Sequence, residues 1–168
     1  MCVNGSGVLI TGEARVGKSE CALELLSRGH PIIADDVVLL ERRNGQLYGT
    51  APDMFRGLLE IRDLGIIDVR AIFGDESVLD GVQIDLVIEL TKDQEIVNDG
   101  KLSMCCESLT VEEIPLQKIT LRVSRGRNLA VLIETAVKML SIGYSNAAET
   151  LLTDHQRQLN TGIDTKQY

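Results

Sequence analysis

The apolar residues of this chain follow two rhythms. Val8 to Thr11 is a short, mostly apolar run that predicts a buried strand. From about Lys18 to Arg28 the spacing changes, so that Ala22, Leu25 and Leu26 fall on one side of a helix. Gly29 is its stop, with Arg28 in the last turn against the negative helix end and Glu24 one turn before it. Pro31 to Ala34 predicts another short apolar strand, running directly into Asp35 and Asp36. Val37 to Glu41 and Gln46 to Thr50 flank Asn44-Gly45, a dipeptide suited to a two-residue hairpin turn. Between Leu58 and Val69 two apolar pieces are broken at Gly65. Gln83 to Leu90 and Ile119 to Val123 read as strands. Asn128 caps a predicted helix with the inward stripe Leu129, Leu132, Ile133, Ala136, Val137 and Leu140, the pair Glu134 and Lys138 on its outer face, and Gly143 at its end. A last helix from about Ser145 carries Ala148, Leu151, Leu152, His155 and Leu159, with His155 in a packing or surface role. The residues from Asn160 onward, being polar, are expected to fray. Strands and helices alternate around at least one hairpin, which predicts an α/β fold on a mixed sheet with flanking helices, in one domain spanning 1–168.

Composition narrows the function classes. The chain has 168 residues, 44% hydrophobic and 25% charged, with a net charge of −8. Such an acidic balance argues against nucleic acid as a partner, because a polyanion needs a basic footprint. No apolar run approaches the length that spans a bilayer and no signal peptide is visible, so a cytoplasmic location is expected. Cys2, Cys21, Cys105 and Cys106 lack metal-ligand spacing and read as reduced structural thiols.

One segment carries chemistry plainly. Gly12-Glu13-Ala14-Arg15-Val16-Gly17-Lys18-Ser19 fits GxxxxGK[ST], and it follows a predicted strand and opens a predicted helix, the context this motif requires. Its glycines let successive backbone N–H groups point inward while the helix N-terminus adds partial positive charge. Lys18 supplies a full charge to the β- and γ-phosphates, and the Ser19 hydroxyl can join a Mg²⁺ shell. The loop is therefore expected to hold a polyphosphate.

Transfer of a phosphoryl group needs in addition a carboxylate that takes a proton and oxygen ligands for the metal. Asp35 and Asp36, soon after the loop, are candidates, since two adjacent like charges want a cation nearby. Glu60 is a third, because a carboxylate flanked by Leu58, Leu59 and Ile61 wants a metal or a partner such as Arg62. Lys118, Arg122, Arg125, Gly126 and Arg127 form a basic cluster in an acidic chain. Its Arg125-Gly126-Arg127 part lies between a strand end and the long helix, where it could hold a second phosphate or dock an acidic partner.

Three blocks, "GVLITGEARVGKSECALELLSRGHPIIADDVVLL", "LLEIRDLGIIDVRAIFG" and "IPLQKITLRVSRGRNLAVLIETAV", together resemble the kinase domain of the HPr kinase/phosphorylase family, in order and at suitable separations. The resemblance covers most of Gly7 to about Leu140. It implies a P-loop core similar to that of phosphoenolpyruvate carboxykinase, and a bacterial, ATP- and Mg²⁺-dependent serine kinase that phosphorylates the phosphocarrier HPr of the sugar phosphotransferase system. It also implies the reverse reaction with inorganic phosphate, releasing pyrophosphate, and assembly as a homohexamer. Carried onto this chain, Gly12 to Ser19 would bind the nucleotide, with Lys18 also catalytic, and Ser19 with Glu60 would hold Mg²⁺. One of Asp35 and Asp36 would be the base. Leu59 to Asp68 would belong to the machinery for both directions, and Arg122 to Arg127, with Arg125 and Arg127 as catalytic groups, would serve mainly dephosphorylation.

The chain departs from the family pattern in places. Arg15 stands where the family usually has glycine, and Asn98 is the nearest counterpart of a family arginine. The family's catalytic histidine upstream of the first strand, and its N-terminal regulatory domain, have no counterpart in this sequence. The leading expectation is phosphoryl transfer to a serine of a small protein. A nucleotide-sensing regulatory module with little turnover is the alternative, and a small-molecule kinase on the same core is a third.

Overall fold

The computed structural model describes residues 1–92 and 106–143. The predicted helix from Ser145, the fraying tail, Cys105 and Asn98 lie outside these residues. The strands are β1 (Cys2–Val3), β2 (Ser6–Gly12), β3 (Leu39–Arg43), β4 (Gln46–Thr50), β5 (Leu58–Ile61), β6 (Gly65–Asp68), β7 (Gly81–Thr91), β8 (Cys106–Val111) and β9 (Ile114–Arg122). The helices are α1 (Lys18–Ser27), α2 (Val69–Phe73) and α3 (Leu129–Ser141). Seven strands form one mixed sheet, and β5 and β6 form a separate antiparallel hairpin.

β7 organises the sheet. It runs parallel to β2 and to β9, while β4 pairs antiparallel with its first three residues and β3 and β8 extend the sheet as hairpin partners. Pairing steps from Gly7 opposite Ile84 to Val8 opposite Leu86, so Asp85 is an extra residue, and its carboxylate accepts the Gly7 N–H at 2.9 Å. This bulge reverses the alternation of the strand. Ile84 and Val87 consequently face a small cluster with Leu47 and Leu116, whereas Leu86, Ile88 and Leu90 face the larger core. That core is closed by α1, through Cys21, Ala22, Leu25 and Leu26, and by α3, through Leu129, Ala130, Ile133, Ala136 and Val137. The helical stripes read from the sequence are the faces that are buried.

Some expectations need correction. Pro31–Ala34 is not a strand: only Ile32 makes a bridge, to Val78, and the chain then bends so that Asp35 reaches α1. The hairpin around Asn44-Gly45 exists, with both turn residues at positive φ (51° and 80°), but its first strand is Leu39–Arg43. Arg28 does not pair with Glu24, and Glu134 does not lie on an outer face with Lys138. Arg28 instead grips Glu134 across the helix pair, at 2.9 and 2.7 Å, and His30 Nε2 meets the same carboxylate at 2.7 Å. Glu24 accepts a hydrogen bond from Asn128, which caps α3 by accepting the Val131 N–H. Helix packing brings Glu134 within reach of both Arg28 and His30, and a two-pronged arginine–carboxylate contact outweighs a single pairing along one helix. Cys2 and Cys21 are free thiols, and burial pushes the Cys21 thiol up to about 12.

A phosphate-loop cleft bordered by acidic groups

The loop from Gly12 to Ser19 connects the C-terminal end of β2 to the first turn of α1, at the edge of a parallel strand pair where α/β sheets receive ligands. Close packing dictates its first glycine: at φ 135° a Cβ on Gly12 would stand 2.3 Å from the Leu90 carbonyl oxygen. Gly17, at φ 112°, is the N-cap of α1 and brings no side chain to cover the amides of the first turn. Val16 is buried and anchors the loop on the core. Lys18 Nζ folds back across the loop and donates to the carbonyl oxygens of Gly12 and Glu13, both at 3.1 Å. Its ammonium therefore sits within the curl of the loop, where a phosphate chain would lie.

A cleft of about 370 Å³ opens over this loop. Arg15, Lys18 and Arg62 supply its cations, Glu20, Asp36 and Glu60 its carboxylates, and the Ser19 hydroxyl lies on the same wall. Asp35 binds the parts together: Oδ1 accepts the Ser19 hydroxyl at 3.2 Å and Oδ2 accepts the Glu60 backbone N–H at 3.0 Å. A residue after Ile32, one in α1 and one in β5 are thus held at a single carboxylate. Desolvation raises the Asp35 pKa above the ordinary aspartate value, and the neighbouring charges of Asp36 and Glu60 push the same way; the two hydrogen bonds oppose this.

The donors collected here are hard oxygens, the chemistry suited to Mg²⁺. Among the described residues no group of three or more His, Cys, Asp or Glu side chains is placed to hold a metal unaided. Mg²⁺ commonly takes one or two protein oxygens and completes its shell from substrate phosphates and water.

Beside this cleft runs a more apolar groove of about 290 Å³, walled by Val37, Met54, Phe55, Leu58 and Ile66 and floored by Asp35, Asp36 and Glu60. Met54 and Ile66 are 75% and 68% exposed. The two depressions share Asp36 and Glu60, so they meet at the carboxylates.

The expected basic loop lies elsewhere on the rim. Arg125 and Arg127 are exposed and do not line the cleft, and Arg127 donates to the Arg122 carbonyl oxygen at 3.4 Å. The loop nonetheless leaves β9 at the same sheet end as the phosphate loop, since Arg122 pairs with Thr91 and Gly12 with Leu90. Glu20 and the apolar groove were not anticipated. Glu60 lies on β5 and Arg62 in the turn that follows it, and both line the cleft; the sequence pointed to Arg62 only as a partner for Glu60.

A mixed parallel and antiparallel sheet whose glycine-bounded GxxxxGK[ST] loop opens a helix beside clustered carboxylates defines an α/β domain of kinase-like architecture. Residues 1–155 match the HPr serine kinase C-terminal domain family, and the chain belongs to that family. It is 46% identical over 134 residues to the HPr kinase/phosphorylase of Clostridium novyi (strain NT), covering 80% of this chain and 44% of that protein. It is 44% identical over 137 residues to the enzyme of the same name from Bordetella pertussis, covering 81% and 44%. The chain thus spans less than half the length of these curated relatives. Among solved structures, the Hpr(Ser) kinase/phosphatase from Coxiella burnetii superimposes with a TM-score of 0.81 at 35% identity, covering 90% of this chain and 93% of that one.

Proposed function

We propose that this chain is the catalytic kinase domain of an HPr serine kinase/phosphorylase, transferring the γ-phosphoryl group of ATP to a serine of HPr and running the reverse phosphorolysis to pyrophosphate. The observation that carries the reading is Asp35, a desolvated carboxylate on the floor of the groove, fixed between the Ser19 hydroxyl and the Glu60 amide beside the two carboxylates where cleft and groove meet. The amides between Gly12 and Ser19, with Lys18, hold the polyphosphate. Ser19 and Glu60 would hold Mg²⁺, which when bound neutralises phosphate charge. The groove of Val37, Met54, Phe55, Leu58 and Ile66 gives the protein substrate a route to the carboxylates that does not cross the nucleotide's side.

In the forward direction the serine oxygen attacks the γ-phosphorus in line, the bond to the β-phosphate oxygen breaks, and Asp35 takes the hydroxyl proton. A pKa raised toward working pH makes Asp35 a stronger base than an exposed aspartate. In the reverse direction Asp35 returns the proton to the seryl oxygen. Arg125 and Arg127 serve that direction by admitting a phosphate at the rim. No helix among the described residues is long and apolar enough to cross a membrane, and HPr as substrate supports a cytoplasmic site of action. A carboxykinase-like core and a homohexamer complete the reading. Incubating the protein with ATP, Mg²⁺ and HPr should yield phosphoserine-HPr by mass spectrometry; nucleotide binding without any phosphoserine would overturn it.

A second reading has its own support. Arg15 sits at the crest of the phosphate loop with φ 63°, a conformation that favours glycine. A loop burdened in this way suits a nucleotide-binding regulatory module with little turnover. Arg15→Gly separates the two: a large gain in phosphotransfer favours the module, and little change favours the enzyme.

A further inference from the structure

The crest of the phosphate loop is held from outside the loop. Arg15 occupies the left-handed region. Lys92, the residue after β7, donates from Nζ to the Arg15 carbonyl oxygen at 3.0 Å, across 77 positions of sequence. With Lys18 on the carbonyls of Gly12 and Glu13, ammonium groups engage three carbonyl oxygens of the loop. The Arg15 carbonyl, turned toward Lys92 outside the loop, is turned away from the curl, which leaves the opposite, N–H side of that peptide to face an anion there. We infer that Lys92 is a positioning residue for the phosphate loop: its ammonium holds the Arg15 carbonyl so that the crest keeps the left-handed turn an arginine would otherwise leave.

The turn disfavours a residue with a Cβ by roughly tenfold relative to glycine. Apparent affinity scales with the fraction of molecules already in the binding shape. If glycine populates the turn about half the time, unbraced arginine populates it about one tenth of the time, and a brace of matching strength returns it to about one half. Lys92 should therefore matter strongly with arginine at position 15 and weakly with glycine there. The effect on affinity rests on the nucleotide reading above, whereas the effect on loop shape does not.

The test uses the full chain with two readouts: the fraction of ligand-free molecules that hold the turn, from the population-weighted chemical shift of the Val16 amide, whose N–H donates to the Glu13 carbonyl at 3.3 Å, and calorimetric titration with ADP and with pyrophosphate. Lys92→Met, which keeps the stem and removes the ammonium, should lower that fraction and weaken ADP binding by about fivefold each. Lys92→Arg, which retains donors, should stay within about twofold of the parent, and in an Arg15→Gly background Lys92→Met should change either readout by less than about twofold. Equal losses in both backgrounds would overturn the inference, because Lys92 would then act as a charge on the anion. No change with Arg15 in place would overturn it as well. Should the Val16 shift follow the expected pattern while no variant, the parent included, binds ADP, the nucleotide reading fails and the brace stands.

Discussion

The two ends of α1 are built on opposite principles. At its N-terminus Gly17 offers no cap, Arg15 is held in a conformation arginine disfavours, and cations and carboxylates crowd an open cleft. At its C-terminus nearly everything is paired: Arg28 and His30 converge on Glu134, the Gly29 and His30 amides donate to Leu26 and Leu25, and Leu25 is completely buried. Groups left unmatched by the protein can be matched by a ligand, so the first end suits binding and the second suits stability. The helix transmits the rigidity of one end to the other. The helix behind the loop is clamped to α3 and the core, while the strained crest at Arg15 meets Lys92 from outside the loop.

The comparison breaks most sharply at Asp35. Asp35→Asn keeps the shape but removes the proposed base, and should lower phosphoserine-HPr formation by about 10²- to 10⁴-fold while ADP affinity, read by calorimetry, stays within a few-fold. In the parent, kcat/KM should fall as pH drops through the raised Asp35 pKa, since only the ionised carboxylate accepts a proton. That acid limb should vanish from the pH profile of the variant.

At the stable end, Leu25→Ala removes a side chain with 0% exposure beneath α1 and should cost about 2–5 kcal/mol, read from urea unfolding. Glu134→Ala leaves His30, only 9% exposed, without its partner, and should cost about 1–3 kcal/mol in the same assay. The pH dependence has a definite sign. The hydrogen bonds from Arg28 and His30 hold the Glu134 carboxyl down to about 2, so its stabilisation is complete above the ordinary glutamate value and is lost as pH falls from about 4.5 toward 2. Thermal melts across that window should converge for parent and Glu134→Ala. The smallest effect is expected at the strained end. Arg15→Gly relieves the left-handed cost but gives the unfolded chain more freedom, so the net change in stability should stay below about 1 kcal/mol.

Several features were legible in the chain because their causes are local. The GxxxxGK[ST] spacing, the Asn44-Gly45 turn, the Asn128 cap and the buried stripes of α1 and α3 depend on residues at most a few turns apart. The hairpin of β8 and β9 was only partly visible, because Glu112-Glu113 turns it at positive φ with residues that carry no turn signal. Asp35 and Glu60 were recognised as candidates, but their meeting through one hydrogen bond was not readable from either neighbourhood.

By itself, then, the sequence determined the phosphate loop, the helices behind and beyond it, the acidic candidates and the family, since periodicity and short motifs express chemistry over a few residues. Only the tertiary structure decided which charges meet. Arg28 chose Glu134 over Glu24, Lys92 found the Arg15 carbonyl, and Asp35 settled between Ser19 and Glu60, while Arg125 and Arg127 stayed at the rim. Electrostatic and hydrogen-bond partners are selected by distance and dehydration in the packed state, and both are set by how distant segments fold together.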